Sequence, residues 1–358
     1  MFKYRILVIS TPIGPLGSGE GGGVELTLNS IVASLLDRGH DLTILAKKGS
    51  SLPLDCNHAN LETFNGENQS SWQHNSRSEL IKIPTYGLLP KFWSWALQEQ
   101  EKFDLILNLA YDWLPFWITP YVSVPIFHLV SMGSVSEAMD QVIHNLACWD
   151  QRRLAFHTRT QACDFALPQS PIIVASGFDI ASYHFSPYSE DYLAWVGRVT
   201  PEKGLEDAAI VASKLGVRLK VWGLKENNLY AKKVEESVPP GTIRWQGFLP
   251  TSQLQKALGS CRCLLNTPKW NEAFGNVIIE SMACGVPVLA YNRGGPGELV
   301  KSGINGWLVP PDDITALTEA TYRVKDIDRS QTRQWAEDNF SRSVFASRLE
   351  EWFAFGLS

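Results

Sequence analysis

The chain of 358 residues lacks several features, and each absence excludes a class of protein. It has no excess of positive charge: 32 Lys+Arg against 37 Asp+Glu give a formal net charge of −5. Residues 1–175 carry 12 Lys+Arg and 16 Asp+Glu, so 12 − 16 = −4, and no basic face hides behind the average. The attraction on which nucleic-acid and anionic-membrane binding rests is therefore missing. Neither a nucleic-acid partner nor strong membrane association is expected, and oligomeric state leaves no mark on the sequence. No window reaches the ~18 apolar residues of a membrane span. The start, Met1-Phe2-Lys3-Tyr4-Arg5 before Ile6–Ile9, is too short in its apolar run for a signal peptide. Cysteine is sparse: six residues, at 56, 148, 163, 261, 263 and 284, with no Cys-x-x-Cys pair. Cys261-Arg262-Cys263 is too tight for a usual metal knuckle, so reduced thiols in a cytoplasmic protein are expected.

An ordinary apolar fraction is present, 44%, over a length that at roughly 100–200 residues per domain predicts two domains. Short β-branched runs alternate with longer helical patterns. Arg5–Ser10, Asp41–Ala46, Asp104–Asn108, Pro125–Val130 and Ile172–Ala175 read as buried strands in the first half. Leu193–Gly197, Arg218–Trp222, Thr242–Gln246, Cys263–Asn266 and Val286–Ala290 repeat the theme in the second. Helical stretches lie between them at Glu25–Arg38, Gly204–Leu215, Ser252–Gly259 and Val277–Ala283. Repeated βα units predict parallel sheets covered on both faces, an α/β chain of two doubly wound Rossmann-like domains facing across a cleft. The boundary falls near Ser176–Pro187, where the pattern lapses into Gly, Asp, Ser and Pro. Residues 65–78 are polar and read as a surface loop. In such sheets ligands bind beyond the carboxyl ends of the strands.

Three segments at those ends carry chemistry. Gly14-Pro15-Leu16-Gly17-Ser18-Gly19-Glu20-Gly21-Gly22-Gly23 follows the first strand and opens the first helix, where glycine lets backbone N–H groups approach a phosphate. Its Gly17–Gly22 portion spells G-x-G-x-x-G, which keeps an NAD(P)-dependent enzyme as a distant alternative. Against that, the second strand ends in Ala46-Lys47-Lys48, where a dinucleotide site wants an acidic ribose ligand. Gly197-Arg198-Val199-Thr200-Pro201-Glu202-Lys203-Gly204 sets two cations at a strand end, suited to a diphosphate, with solvated surface charge as the plain reading. The third runs Asn271-Glu272-Ala273-Phe274-Gly275-Asn276 into a helix bearing Glu280. A helix N-terminus favours an anion, and Glu280 lies ~7.5 Å further along. Glu280 stands in an otherwise apolar helix, which argues against a solvated surface role. Asp326-Ile327-Asp328 spells D-x-D but lies in a late polar stretch with no strand before it. Read alone, His128 at its strand end is a core or capping histidine.

Together, Glu272-x7-Glu280, the 197–204 string and Gly22-Gly23-Val24-Glu25 resemble family 4 of the retaining GT-B glycosyltransferases. Arg38-Gly39-His40, Ser176-Gly177-Phe178-Asp179, Gly247-Phe248-Leu249, Gly294-Gly295-Pro296-Gly297-Glu298 and Gly303-Ile304-Asn305-Gly306 fit the same framework. The resemblance runs from residue 5 to about 353. It implies a residue 1–178 acceptor-binding domain, joined by a C-terminal helix of about 335–358, and a residue 179–334 nucleotide-sugar-binding domain. It further implies transfer of a hexose from a nucleotide diphosphate donor, with retention and without metal or other cofactor. Arg198 and Lys203 would bind the diphosphate, and Ala273, Phe274, Gly275 and Asn276 would line the donor. Glu280 would hold the ribose and Glu272 the sugar hydroxyls. Gly22 and Gly23 would close over the phosphates, and His128 would stand near sugar and acceptor. His128, Arg198, Lys203 and Glu272 are thus the catalytic candidates. Phe178 replaces the family's usual Val or Ile, which reads as a packing change. Ser10–Gly19 is more elaborate than the family's short loop and resembles cyanobacterial enzymes that glucosylate tetrahydrobiopterin from UDP-glucose, which implies a reduced pterin as the small-molecule acceptor. A sugar or polysaccharide-precursor acceptor is the alternative. Trp72, Trp93, Trp95, Trp113, Trp117 and Trp149 are either core or a stacking surface for it.

Overall fold

The computed structural model describes residues 3–19, 21–72 and 76–358. Met1 and Phe2 of the amino-terminal segment, Glu20 of the glycine-rich string, and Gln73, His74 and Asn75 of the polar stretch lie outside the described residues. Two compact units emerge, one formed by residues up to Gly177 with Arg342–Ser358, the other by Phe178–Ser341.

Among the described residues the first unit holds seven strands: β1 (Arg5–Ile9), β2 (Asp41–Lys47), β3 (Asn60–Phe64), β4 (Leu105–Asn108), β5 (Ile126–Val130), β6 (Leu154–Phe156) and β7 (Ile172–Ile173). They pair in the order β3-β2-β1-β4-β5-β6-β7, every pair parallel. Ile6-Leu7-Val8-Ile9 is apolar without alternation because both faces of β1 are covered. Ile6 and Val8 meet Leu28, Ile31, Val32 and Leu35 of helix Gly23–Asp37, while Leu7 and Ile9 meet Leu88, Phe92 and Trp93 of helix Leu88–Glu99. Helix Arg342–Leu357 completes the first face with Phe345, Leu349, Trp352 and Phe353. Phe127 meets the last two edge to face, with ring centroids 5.3 and 5.2 Å apart.

The second unit holds β8 (Tyr192–Val196), β9 (Arg218–Trp222), β10 (Ile243–Gly247), β11 (Cys263–Asn266), β12 (Val288–Tyr291) and β13 (Gly306–Val309). Their order is β10-β9-β8-β11-β12-β13, again all parallel. Strand order reverses between β1 and β4 in the first sheet and between β8 and β11 in the second, the two crevices where an open α/β sheet accepts ligands.

Two boundaries differ from the sequence-based expectation. Residues 335–341 stay with the second unit, because helix Arg329–Phe340 packs on helix Asn276–Ala283 and sets Phe340 5.8 Å from Phe274. Phe178 joins them, its ring stacked on Phe274 at 6.5 Å and 14°. This is the packing role that the departure from Val or Ile implied. Three strands escape the sequence pattern: β3, an edge strand of half-exposed Asn-Leu-Glu-Thr-Phe; β6, three residues long; and β13, an edge strand opened by Gly306.

Candidate active site

The crevice of the second sheet lies between the loop after β8, Gly197–Gly204, and the loop after β11, Thr267–Gly275. Glycine fixes how closely these loops approach. Gly204 has φ +67°, and a Cβ there would overlap the Thr267 carbonyl. Gly223, after β9, has φ +142°, and a Cβ would overlap the Gly197 carbonyl. The gap is sewn by hydrogen bonds: the Thr267 hydroxyl donates to the Gly204 carbonyl at 2.7 Å, and the Lys269 N–H donates to the Glu202 carbonyl at 2.9 Å. Lys203 is thereby held between anchored neighbours.

The Lys203 ammonium forms an ion pair with Glu272. It also lies 4.9 Å from the centroid of Trp270, whose indole N–H donates to the same Glu272 Oε2 at 3.3 Å. Trp270 went unnoticed in the sequence, where nothing but its place two residues before Glu272 marks it. Behind this group Lys269 pairs with Asp207 and, at 2.9 Å, with Asp312. The Tyr291 hydroxyl donates to Asp207 at 2.5 Å. Arg293 and Lys269 hold the Asp312 carboxyl down to about 2. The loop bearing Glu272 is braced from below, since the Gly295 N–H donates to the Glu272 carbonyl at 2.6 Å and a Cβ on Gly294 or Gly295 would strike Glu272 or Phe274 backbone.

Gly275, at φ +103°, caps helix Asn276–Ala283, so its start faces the same loop. Phe274 is buried between Phe178 and Phe340, leaving its backbone rather than its ring for any ligand. Ala273, Gly275 and Asn276 are half-buried. Glu280, one turn along, is 8% exposed and accepts from the Tyr183 hydroxyl at 3.3 Å. Burial pushes the Glu280 carboxyl up to about 7, and the Tyr183 hydrogen bond opposes that rise. Tyr183 is a second residue absent from the sequence reading. Arg198, on the same loop as Lys203, meets Glu226 at 3.1 Å and Glu202 at 3.7 Å.

His128 is the middle residue of β5. It is fully buried in the first unit, stacked on Phe116 at 4.4 Å. Asn108 Nδ2 donates to its Nδ1 at 3.1 Å, so Nε2 carries the proton and donates to the Thr119 hydroxyl at 2.7 Å. Thr119 in turn donates to the Pro115 carbonyl. Both ring nitrogens are engaged and burial pushes its pKa down to about 3, so His128 is a neutral, buried histidine in this structure. The fold therefore loses stability as pH falls below about 6.5, where the unfolded chain's imidazole takes up a proton. His128→Ala is expected to cost about 2–4 kcal/mol through the cavity and the orphaned Asn108 and Thr119. Chemical denaturation measures that loss, and turnover per folded molecule should stay within threefold of wild type. A hundredfold fall in turnover without a stability loss would place His128 in the reaction.

The glycine-rich segment is also explained by its own chain. Gly17 and Gly19 N–H groups donate to Glu25 Oε2 at 3.1 and 3.3 Å, and Gly21 N–H to Oε1 at 2.9 Å. A buried carboxylate thus occupies the place a pyrophosphate takes in a dinucleotide fold, which removes the reason for the NAD(P) alternative. Gly22 (φ +55°) caps the helix that Gly23 begins. Asp328 caps helix Arg329–Phe340 through the Ser330 and Gln331 N–H groups, which accounts for half of the D-x-D. Among the described residues no group of three or more His, Cys, Asp or Glu is arranged to hold a metal, and no helix is long and apolar enough to cross a membrane. Trp72 and Trp93 are core, whereas Trp113, Trp117 and Tyr121 form an aromatic ladder with centroids 5.3 and 5.4 Å apart. The ladder is built on helix Trp113–Ile118, which follows β4, and Trp117 and Tyr121 are exposed.

Residues 182–339, within the second unit, match the family described as glycosyl transferases group 1. Over 30% of this chain, the sequence is 35% identical to an alpha-1,3/1,6-mannosyltransferase of Schizosaccharomyces pombe, a match that spans 22% of that protein. The chain spans 13% and 51% of the length of two further curated relatives. A D-inositol 3-phosphate glycosyltransferase of Mycolicibacterium smegmatis is 23% identical over 96% of this chain and 89% of its own. Among solved structures, HepE of Anabaena in complex with UDP and glucose superposes with a TM-score of 0.74, at 20% identity over 98% of this chain and all of that one. The fold is that of the GT-B glycosyltransferases, two Rossmann-like domains.

Proposed function

We propose that the protein is a retaining, metal-independent glycosyltransferase that moves glucose from UDP-glucose to a small acceptor, a reduced pterin. The observation that carries this reading is the Lys203–Glu272–Trp270 group at the β8/β11 crevice, beside the start of helix Asn276–Ala283 and ahead of Glu280. Lys203, Arg198 and the helix dipole supply positive potential for a diphosphate, and that potential grows more valuable as the leaving group takes up charge. A metal would do the same work elsewhere. Glu280 offers a carboxylate to the ribose hydroxyls, and Glu272, once Lys203 turns to phosphate, is released toward the sugar hydroxyls. The acceptor hydroxyl attacks on the face from which the diphosphate departs, so no protein nucleophile is needed.

UDP-glucose is favoured because HepE holds UDP and glucose, and the pterin because of the elaborate Ser10–Gly19 opening. The Trp113–Trp117–Tyr121 ladder, exposed at Trp117 and Tyr121, supports a planar acceptor, since aromatic faces stack on flat rings. A polyol or sugar acceptor is the second reading, favoured by the inositol-phosphate enzyme among the relatives. The test incubates the purified protein with UDP-glucose and tetrahydrobiopterin, with EDTA present, and seeks a hexosyl-pterin by mass spectrometry with its anomeric configuration by NMR. An α-linked product carries the whole reading. UDP release that needs inositol phosphate or another polyol instead moves it to the second. A requirement for divalent metal removes the metal-independent mechanism.

A further inference from the structure

Both cations of the proposed diphosphate site are already neutralised by carboxylates of their own chain. Glu272 belongs to the sugar-binding proposal, but Glu226 has no place in it. Its position is built rather than incidental. The loop after β9 is tied to the loop after β8 by the Val199 N–H donating to the Leu224 carbonyl at 2.9 Å and the Asn227 N–H to the Val199 carbonyl at 3.3 Å. Gly223, confined to a conformation only glycine tolerates, lets the two loops close against Gly197. Asn227 then caps helix Asn228–Glu236 through the Tyr230 N–H, so the residues on either side of Glu226 are fixed. The outcome is the 3.1 Å contact between Glu226 Oε2 and Arg198 Nη1. Glu202, the other carboxylate near Arg198, is occupied by the Thr200 hydroxyl at 2.7 Å and stands further off at 3.7 Å.

We infer that Glu226 is an internal competitor for the diphosphate: it holds the Arg198 guanidinium until the donor arrives and reclaims it when the spent nucleoside diphosphate departs. This rests on the donor-site reading above. The Nη1 group that faces Glu226 cannot serve a phosphate through the same N–H at the same time, so a diphosphate that takes this edge of the guanidinium displaces the carboxylate. Each binding event therefore exchanges one anion for another, and nucleotide affinity is set by the difference between the two. Glu226 is a positioning residue that tunes affinity and release and touches no reacting atom.

The distinguishing consequence is a gain of affinity on removing a residue beside the site. In calorimetry with UDP as probe, at low ionic strength, E226Q is expected to bind about three- to fivefold more tightly than wild type, the range an exposed ion pair supports. UDP dissociation followed by stopped flow should slow by the same factor. The gap should close at about 0.5 M salt as the pair is screened. In an R198A background E226Q should have no effect, which separates competition for Arg198 from a general change of charge. Equal or weaker UDP binding by E226Q, with wild type binding normally, overturns the inference and leaves the donor site standing. Failure of wild type itself to bind UDP overturns the donor-site reading and this inference with it.

Discussion

Replacing Lys203 by alanine is expected to lower kcat by about a hundred- to a thousandfold at saturating donor, the cost of losing one preorganised group at a site of developing charge. The ammonium is committed to Glu272 and to the Trp270 face, so much of its attraction for ground-state substrate is offset by the partner it must leave. As the glycosidic bond breaks, charge accumulates on the departing diphosphate and the balance moves towards phosphate. The loss should therefore fall on kcat rather than on KM, the signature of an interaction strengthened in the transition state. Initial rates at several donor concentrations, corrected for folded fraction, measure the split. A variant with kcat within threefold of wild type would take Lys203 out of the mechanism. K203R keeps the charge but not its place over Trp270, and should recover only part of the loss.

The second large effect is a pH dependence that belongs to Glu280. Its carboxyl sits near 7 because burial disfavours the charged form. The groups facing it, Tyr183 and the Cys284 thiol, are raised in turn and keep their protons through this range. Two consequences have opposite signs. A carboxyl bound more tightly to its proton in the fold than in the unfolded chain makes stability fall as pH rises from about 4.5 through 7. Donor binding should rise over that same step, since ribose hydroxyls donate to a carboxylate better than to a carboxylic acid. UDP affinity is expected to increase about tenfold between pH 6 and pH 8, and E280Q should keep only the part due to the nucleotide's own titration. At pH 8, E280Q should also unfold at higher denaturant than wild type. Parallel pH profiles for the two proteins would remove Glu280 from the ribose role.

The architecture was legible because both sheets are parallel and doubly covered, so their central strands read as unbroken apolar runs. What stayed hidden was β6, too short at three residues to show a pattern, and the edges, where Asn60–Phe64 and Gly306–Val309 are partly exposed and lose that signature. Lys203 and Glu272 stood out by residue type and place at strand ends, and the structure brings the two together. Trp270 and Tyr183 did not, because an aromatic side chain's polar edge becomes informative only when its partner's position in space is known. His128 shows the converse. A histidine in an apolar strand has the same spelling whether its ring faces a ligand or, as here, Asn108 and Thr119. The glycine-rich string shows a related ambiguity, as the N–H groups that would cradle a phosphate are satisfied by Glu25 four to eight residues away.

Helix Arg342–Leu357 has a consequence for how the protein is made. The second unit is one continuous stretch of chain, whereas the first draws Phe345, Leu349, Trp352 and Phe353 from residues more than 160 positions beyond Gly177. During synthesis the unit begun first must wait, with one sheet face only partly covered, until the ribosome has translated and released everything in between. The order of translation and the order of folding are therefore reversed, and the nascent first unit is the part of this protein that a chaperone would be asked to shelter.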